Sequence, residues 1–238
     1  MWSVQLGKRF HLPVTATAMG QDVLPSNKWL KKTEIRQLPK IVTLSPFHQQ
    51  QLLQHTGLTS EMIPWGLPSD KAVNEEKTID LIGVGNLIPL KDYACFLAIC
   101  SHLKKMIPDF KAVIVGTGPE KEKLQDQIRD FELEKNVLLA GQKSYEETQE
   151  LIRSSKVLLH PSQFESFGMV IIEALATGTM VFARSTGIAE SEDAVQKLSG
   201  DVLSDSEQIA VSLKKTGSSE IKNYSIQTTL DAYLKTVL

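Results

Sequence analysis

The segment HPSQFESFGMVIIEALATG, at positions 160–178, has the residue types of an anion-binding site. It is predicted to be the end of a strand, a short polar loop and then a helix. The start of that helix presents the backbone amides of Phe167, Gly168 and Met169. Unpaired amides and the helix macrodipole both favour an anion at a helix N-terminus, so the segment predicts a phosphate site.

Two glutamates accompany those amides. Glu165 lies just before them, and Glu173 lies two turns into the predicted helix, about 12 Å further along if the whole segment is helical. Carboxylates at different depths suit hydrogen bonds to different hydroxyl groups of one long ligand. At that separation the two groups do not share a proton as a catalytic dyad.

Alternating strands and helices must position these residues. Apolar runs that are typical of buried parallel strands lie at 79–85, 111–116, 136–141, 156–162 and 179–184. Helical patterns separate them, so the sequence predicts an α/β fold with a doubly wound parallel sheet and helices on both faces. Ligands bind at the carboxyl ends of the strands in such sheets. The loops predicted there are 85–91, 116–119, 141–143, 161–168 and 185–190.

The front of the chain predicts a smaller α/β unit that is incomplete. Its strand patterns lie at 13–20, 40–45 and 61–66, with a basic helical segment at 27–40. The polar stretch at 73–78 is a candidate linker. We therefore expect an incomplete N-terminal domain at 1–75, a complete Rossmann-like domain at 76–220 and a C-terminal helix at 221–238 that packs back toward the N-terminal part.

Composition and charge exclude several classes of protein. The net charge is −2, so no overall positive field attracts nucleic acid. Cys95 and Cys100 lack partners for a metal set and indicate free helix thiols in a reducing cytoplasm. No apolar run approaches the roughly 18–20 residues that a membrane span needs, and the N-terminus lacks the pattern of a signal peptide.

Metal and dinucleotide chemistry are not predicted. No Asp-x-Asp pair follows a strand, and the histidines lack ligand spacing, at positions 11, 48, 55, 102 and 160. His160 ends a predicted strand beside the site, where a packing role is favoured over a functional one. GVGNLI at 83–88 lacks the third glycine of a dinucleotide-binding fingerprint because Ile88 occupies that position.

The spacing Glu-x7-Glu, within P-S-x-x-E-x-F-G and E-A-x-A-x-G, resembles the signature of glycosyltransferase family 4, a group of retaining enzymes with the GT-B architecture. The resemblance continues in the loops of the predicted sheet, at VGNLIPLKD (84–92), VIVGTGPEKEKL (113–124), NVLLAGQKSYEE (136–147) and STGIAES (185–191). Upstream, the matching segments resemble later strands of the acceptor domain, at PVTATAMGQD (13–22), IVTLSPF (41–47) and MIPWGLP (62–68). It covers nearly the whole chain in order and implies a GT-B-like fold.

The resemblance also implies roles for individual residues. Glu165 would contact the transferred sugar and Glu173 the ribose, while Lys91 and the amides of Phe167, Gly168 and Met169 would hold the pyrophosphate. A cation there suits the charge that develops on the leaving nucleoside diphosphate. The glycines Gly116 and Gly118 would let the backbone approach the nucleotide, and Gly141, Gln142 and Lys143 would lie near the base. The implied donor is a UDP-, GDP- or ADP-sugar, used without a metal.

Three features depart from the family pattern. Asn86 stands where the family usually has an arginine, and it offers neither the charge nor the fork for a phosphate. Met19 stands where a histidine is frequent, which leaves Asp22 as the acceptor-side candidate for a catalytic residue; an Asp after glycine is equally typical of a helix cap. The front of the acceptor domain is missing. A truncated product, a deliberately shortened chain and a chain completed by a partner subunit each account for it, and truncation is favoured.

Two function hypotheses follow. In the first, the chain is a transferase or part of one that moves a hexose, with retention, to an unknown sugar or lipid-linked acceptor. In the second, it is a non-catalytic module that binds a nucleotide sugar or pairs with a partner subunit. The basic segment 27–40 is interpreted as a solvated face, with a helix on the inner surface of the membrane as the alternative. The oligomeric state is left open.

Overall fold

The computed structural model describes residues 2–23, 38, 40–68, 76–214 and 222–237. Within these ranges the helices α1 to α8 are Trp2–Phe10, Pro46–Thr56, Tyr93–Met106, Lys121–Asp130, Tyr145–Arg153, Met169–Ala176, Val202–Leu213 and Ile226–Val237. The strands β1 to β9 are Thr15–Thr17, Lys40–Thr43, Glu61–Met62, Ile79–Val84, Ala112–Val115, Val137–Gly141, Ser155–His160, Met180–Ala183 and Val195–Lys197.

The strands of the described residues form two parallel sheets. The smaller has the order β1-β2-β3, and the larger has the order β6-β5-β4-β7-β8-β9. The strand order of the larger sheet reverses between β4 and β7, and the loops at the carboxyl ends of these two strands therefore border a crevice where a ligand can bind. The α/β fold class predicted from the sequence is confirmed.

Both faces of the larger sheet are buried. Along β4, Leu81 faces the core that contains α3, α4 and α7, whereas Ile82 faces the core that contains α5 and α6. Leu159 and Leu158 alternate between the same two cores on β7. A fully buried apolar side chain contributes about 1.5–3 kcal/mol, so this two-sided burial makes the sheet a firm support for its loops.

Side-chain caps define where the helices begin. The carboxylate of Asp92 accepts a 3.3 Å hydrogen bond from the amide of Cys95 at the start of α3. Ser144 and Glu147 form a reciprocal capping box at the start of α5. Such caps satisfy amides that a helix itself leaves unpaired, so they fix the exit of the preceding loop. The loop before α3 is the one that carries Lys91.

The C-terminal helix contacts the smaller sheet. The hydroxyl groups of Tyr233 and Thr17 lie 3.0 Å apart, and Thr236 donates a 2.9 Å hydrogen bond to Glu61. Upstream of α8, Leu67 and Ser225 form an isolated parallel bridge. The domain boundaries at 75 and 220, and the packing of a C-terminal unit back toward the N-terminal part, stay predictions.

Several sequence predictions need adjustment. The larger sheet has a further edge strand, β9, where five strands were expected, and β3 is only the start of the predicted 61–66 strand. The basic segment 27–40 lies outside the described residues except for Leu38 and Lys40. Lys40 begins β2 rather than ending a helix, and its ammonium lies 3.2 Å from the carboxylate of Glu61. Among the described residues, no helix is long and apolar enough to cross a membrane.

Candidate functional site

A compact polar cluster lies at the carboxyl end of β4 and β7. Lys91, in the short helical turn Pro89–Lys91, directs its ammonium onto Oε1 of Glu165. His160, the last residue of β7, places its Nε2 atom 2.7 Å from the same oxygen. Lys91 and Glu165 were both predicted site residues from distant parts of the chain. The fold brings them into direct contact.

This environment determines the charge of Glu165. Burial by itself raises the pKa of Glu165, but the hydrogen bonds and electrostatic attraction from His160 and Lys91 outweigh it and lower the pKa to about 2. The carboxyl group is therefore ionised at neutral pH. An anionic oxygen held in a largely buried site can accept a hydrogen bond from a ligand hydroxyl group.

Hydrogen bonds to one backbone carbonyl join the two loops that carry this pair. The amide of Gln163 donates a 2.8 Å hydrogen bond to the carbonyl of Leu90, and the hydroxyl of Ser162 donates a 3.3 Å hydrogen bond to the same carbonyl. Leu90 directly precedes Lys91 in the chain. The two loops are held together independently of the side chains of Lys91 and Glu165, which favours the contact between them.

The loop that contains Glu165 is held against the smaller sheet by residues on either side of it. Phe164 packs on Phe47 at a ring-centroid distance of 5.7 Å, and Phe167 packs in a core cluster with Leu44. The hydroxyl of Ser45 also donates a 2.7 Å hydrogen bond to the carbonyl of Ser166. Both sheets thus fix the position of Glu165.

Gly187 lies in close contact with the loop that contains Glu165. Its φ is +59°, and a Cβ atom there would lie 2.5 Å from the carbonyl oxygen of Phe167 and 2.8 Å from Cβ of Glu165. The adjacent Ile188 amide donates a 2.7 Å hydrogen bond to the Phe167 carbonyl. Glycine is required here both by the left-handed backbone and by the close approach. Sequence reasoning placed 187 in the loop at the sheet edge but did not identify this contact.

The start of α6 has the predicted free amides. No described residue accepts a hydrogen bond from the backbone amides of Phe167, Gly168 or Met169. Gly168 occupies the cap position with φ of +92° and, having no side chain, covers none of them. The side chain of Phe167 is buried in the core, so its contribution to a ligand would come from the backbone. The geometry is that of a helix N-terminal anion site.

Glu173 lies closer to this helix start than the sequence indicated. Because α6 begins only at Met169, Glu173 is about one turn into the helix, and the expectation of two helical turns from Glu165 was wrong. Burial raises the pKa of Glu173, and nearby Gln149 partly opposes that rise. The Gln149 side-chain nitrogen is buried and does not reach hydrogen-bonding geometry with the carboxylate, so burial decides the direction.

Glycine loops complete the same edge of the sheet. A Cβ atom at Gly116 would lie 1.9 Å from the carbonyl oxygen of Gly85, and one at Gly118 would lie 2.4 Å from that of Leu87. The loops after β4 and β5 therefore touch through their backbones. Asn86 and Gln142, two further predicted site residues, are exposed beside them. Their contacts with a ligand stay predictions.

The acceptor-side candidate lies in the segment that follows β1. Asp22 belongs to the short helical turn Gly20–Val23, and the buried Val23 of that turn packs in one cluster with Phe164. The turn therefore adjoins the loop that carries Glu165. Met19 precedes the turn and its side chain is about half exposed. The catalytic role of Asp22 stays a prediction.

Sequence reasoning missed a second polar contact that supports the Lys91 loop. Arg184, directly after β8, donates a 2.7 Å hydrogen bond to the carboxylate of Asp92, which also caps α3. Gln163 donates a 3.3 Å hydrogen bond to the same oxygen of Asp92. The carboxylate thus joins three loops at the carboxyl edge. A lone arginine after a strand has no spacing pattern that could have indicated this role.

The described residues form two parallel sheets. The candidate site lies in a loop of the larger sheet that contacts residues next to the smaller sheet. This arrangement defines a GT-B architecture. HepE of Anabaena, solved in complex with UDP and glucose, superposes with a TM-score of 0.79 at 17% identity, over 98% of this chain and 73% of that one. TarM of S. aureus, in a complex that contains UDP, gives a TM-score of 0.75 at 20% identity, over 84% of this chain and 44% of that one.

The chain belongs to the glycosyl transferases group 1 family, whose model matches residues 68–211. An uncharacterized glycosyltransferase of Haemophilus influenzae is 31% identical over 150 residues, which are 60% of this chain and 41% of the relative. The 2-deoxystreptamine N-acetyl-D-glucosaminyltransferase of Niallia circulans is 26% identical over 124 residues, 50% of this chain and 32% of that one. The matches thus span less than half the length of these curated relatives. The family resemblance inferred from the sequence is confirmed.

Proposed function

We propose that the chain binds a nucleoside diphosphate sugar along the carboxyl edge of the larger sheet, and that it acts in a retaining transfer of a hexose. The observation that carries this proposal is the ion pair of Lys91 and Glu165 beside the unpaired amides at the start of α6. A cation, a row of amides and an ionised carboxylate are what a diphosphate joined to a polyhydroxylated ring requires.

The diphosphate is assigned to the amides of Gly168 and Met169 together with Lys91. The helix dipole and the ammonium both stabilise the negative charge that grows on the leaving diphosphate as the glycosidic bond breaks. The loop that carries Lys91 and the loop that leads into α6 are joined through Leu90. Preorganised charge of this kind avoids the cost of rearrangement during the reaction.

Glu165 is assigned to a hydroxyl group of the donor sugar and Glu173 to the ribose. The pKa of Glu173 is raised by burial, so its ionised form is less favoured than that of an exposed glutamate. A ribose hydroxyl that donates to the carboxylate would favour the ionised form again. The solved HepE complexes with UDP, with UDP and glucose, and with UDP-glucose support trying uridine nucleotides first.

The acceptor site and the boundaries between domains are part of the same proposal. We assign the acceptor side to the turn that contains Asp22, since Val23 of that turn belongs to the same core cluster as Phe164 in the loop of Glu165. A sugar or a lipid-linked sugar is the proposed acceptor class. We also propose a division into domains at 1–75, 76–220 and 221–238.

Calorimetric titration with UDP, GDP and ADP in metal-free buffer tests the donor site. We expect one nucleotide to bind saturably, and Glu173→Ala to weaken that binding by about tenfold, as for loss of a hydrogen bond to a charged group. Glu150→Ala is the matched control because Glu150 is exposed on α5. Absence of binding by the folded chain, or equal loss in both variants, would contradict the assignment.

A non-catalytic nucleotide-sugar-binding module is the second candidate function. Asn86 favours it, because the exposed amide at the end of β4 adds no positive charge for a leaving diphosphate. The two candidates differ in their behaviour toward the donor when no acceptor is present. Slow release of the free sugar from a bound nucleotide sugar supports a transferase, and stable binding without hydrolysis supports the module.

A further inference from the structure

His160 and Lys91 reach the same oxygen of Glu165. The ammonium of Lys91 and Nε2 of His160 both contact Oε1, the latter at 2.7 Å. Among the described residues, none makes a hydrogen bond to the other carboxylate oxygen, Oε2. The carboxylate is thus asymmetric, with one oxygen engaged by protein and the other available to a ligand.

The imidazole is rigidly placed. His160 is the last residue of the central strand β7, pairs with Ala183 of β8 and is 4% exposed. Its backbone carbonyl also accepts a 3.3 Å hydrogen bond from the amide of Arg184. A ring enclosed in this way has few alternative rotamers, since a buried side chain is confined by its neighbours.

The hydrocarbon part of Glu165 is confined as well. Cβ of Glu165 lies next to Gly187, and its Cγ lies next to Gly168. The flanking Phe164 and Phe167 fix the backbone on both sides. With its backbone, methylenes and Oε1 all restrained, the side chain presents Oε2 in a single orientation.

We propose that His160 is a positioning residue, which donates its Nε2 proton to Oε1 of Glu165 and so reserves Oε2 for a hydroxyl group of the donor sugar. This inference rests on the proposed function of Glu165. Lys91 can hold Oε1 by itself only through a flexible four-carbon chain. The rigid imidazole fixes the orientation of the carboxylate, and Lys91 remains free to interact with the diphosphate as well.

Two substitutions separate this role from simple filling of space. His160→Leu keeps a side chain of similar bulk but is apolar and removes the hydrogen-bond donor. His160→Gln retains an N–H donor at a comparable distance from the backbone. Each variant is titrated with UDP-glucose and, separately, with UDP. The comparison isolates the sugar, because both ligands share the groups assigned to Lys91, Glu173 and the amides of α6. If GDP or ADP is the preferred nucleotide, GDP-mannose with GDP, or ADP-glucose with ADP, replaces this pair.

We expect His160→Leu to weaken UDP-glucose binding about tenfold and to change UDP binding less than twofold. His160→Gln should recover most of the lost affinity for UDP-glucose. Equal losses for both ligands, a lack of recovery in His160→Gln, or unchanged binding in His160→Leu would each overturn the positioning role. Thermal unfolding of both variants reports whether the fold has been kept.

Nitrogen NMR of the imidazole tests the hydrogen bond without any ligand. We expect Nε2 of His160 to carry a slowly exchanging proton in the wild-type chain, and Glu165→Ala to remove that protection. Nucleotide-sugar binding without this proton signal overturns the role of His160 alone. The proton signal without any nucleotide binding overturns the proposed function, and with it the role of His160 toward a sugar.

Discussion

The hydroxyl group of Tyr224 donates a 2.8 Å hydrogen bond to Oε2 of Glu192. Tyr224 lies just before α8, and Glu192 follows the short helical turn Gly187–Glu190 beside the candidate site. Burial and the neighbouring carboxylate raise the pKa of Tyr224, so the hydroxyl stays protonated as the donor. The segment leading to the C-terminal helix is thereby tied to a loop that also carries Gly187.

Tyr224→Phe removes this bond while keeping the ring. We expect a loss of about 1.5 kcal/mol in the free energy of unfolding, because hydrogen bonds to charged groups exceed neutral ones. Tyr233→Phe is the control, since it breaks a neutral 3.0 Å contact with Thr17 and should cost less. Urea unfolding of the three proteins measures both values. A larger loss in Tyr233→Phe would show that the Glu192 contact adds little.

Because of Glu165, the free energy of unfolding should vary with pH in the acid range. The Glu165 pKa of about 2 lies below the ordinary value of 4.5, so the folded state favours the ionised carboxylate. The resulting stabilisation is complete above about pH 4.5 and is lost as the pH falls toward 2. The stability difference between wild type and Glu165→Gln should therefore narrow from pH 6 to pH 3, as followed by urea unfolding. A difference that is independent of pH would contradict the ion-pair account.

The larger sheet could be predicted from sequence because its central strands are continuous apolar runs with helices between them. The edge strand β9 could not, since only Val195 of Val195–Lys197 is buried and the remainder is exposed. A strand with one buried residue has no apolar run to reveal it. The helix α2 was also missed, although Ser45 and Pro46 form a recognisable helix start.

The candidate site was predictable where motif residues carry it and unpredictable where tertiary contacts do. Lys91 and Glu165 follow from the resemblance and from the rule that loops meet at the carboxyl edge. His160 was given a packing role because a lone histidine has no spacing pattern, and its hydrogen bond appears only once β7 is placed beside the loop. The contact of Gly187 with Glu165 likewise depends on how two loops cross.

A substitution at Gly116 tests how closely the loops after β4 and β5 must approach each other. Gly116→Ala would place Cβ 1.9 Å from the Gly85 carbonyl oxygen, at a φ of +145°, so backbone strain and overpacking should cost about 3 kcal/mol. Gly200→Ala is the control, because Gly200 has φ of +89° and no atom within 4 Å of the added Cβ. It should cost about 1 kcal/mol, from backbone strain alone. Equal losses in urea unfolding would mean that the loops can separate without penalty.

A substitution at Asn86 tests whether a positive charge at this position would strengthen diphosphate binding. Asn86 is exposed at the carboxyl end of β4, close in sequence to Lys91, and Asn86→Arg would add a guanidinium at the edge assigned to the diphosphate. We expect the preferred nucleoside diphosphate to bind about tenfold more tightly, as for one added charge-assisted hydrogen bond. The gain should shrink as salt is raised, because exposed charges are screened.

The control for this variant is the same substitution at another exposed asparagine. Asn223→Arg adds an equal charge beside Tyr224, outside the groups assigned to the diphosphate, and should leave nucleotide affinity unchanged. Calorimetry at two salt concentrations measures both variants. Equal gains in the two variants would assign the effect to overall charge, and no gain in Asn86→Arg would place the diphosphate away from the end of β4. A selective gain at position 86 would instead show that the diphosphate site accepts a cation at the end of β4.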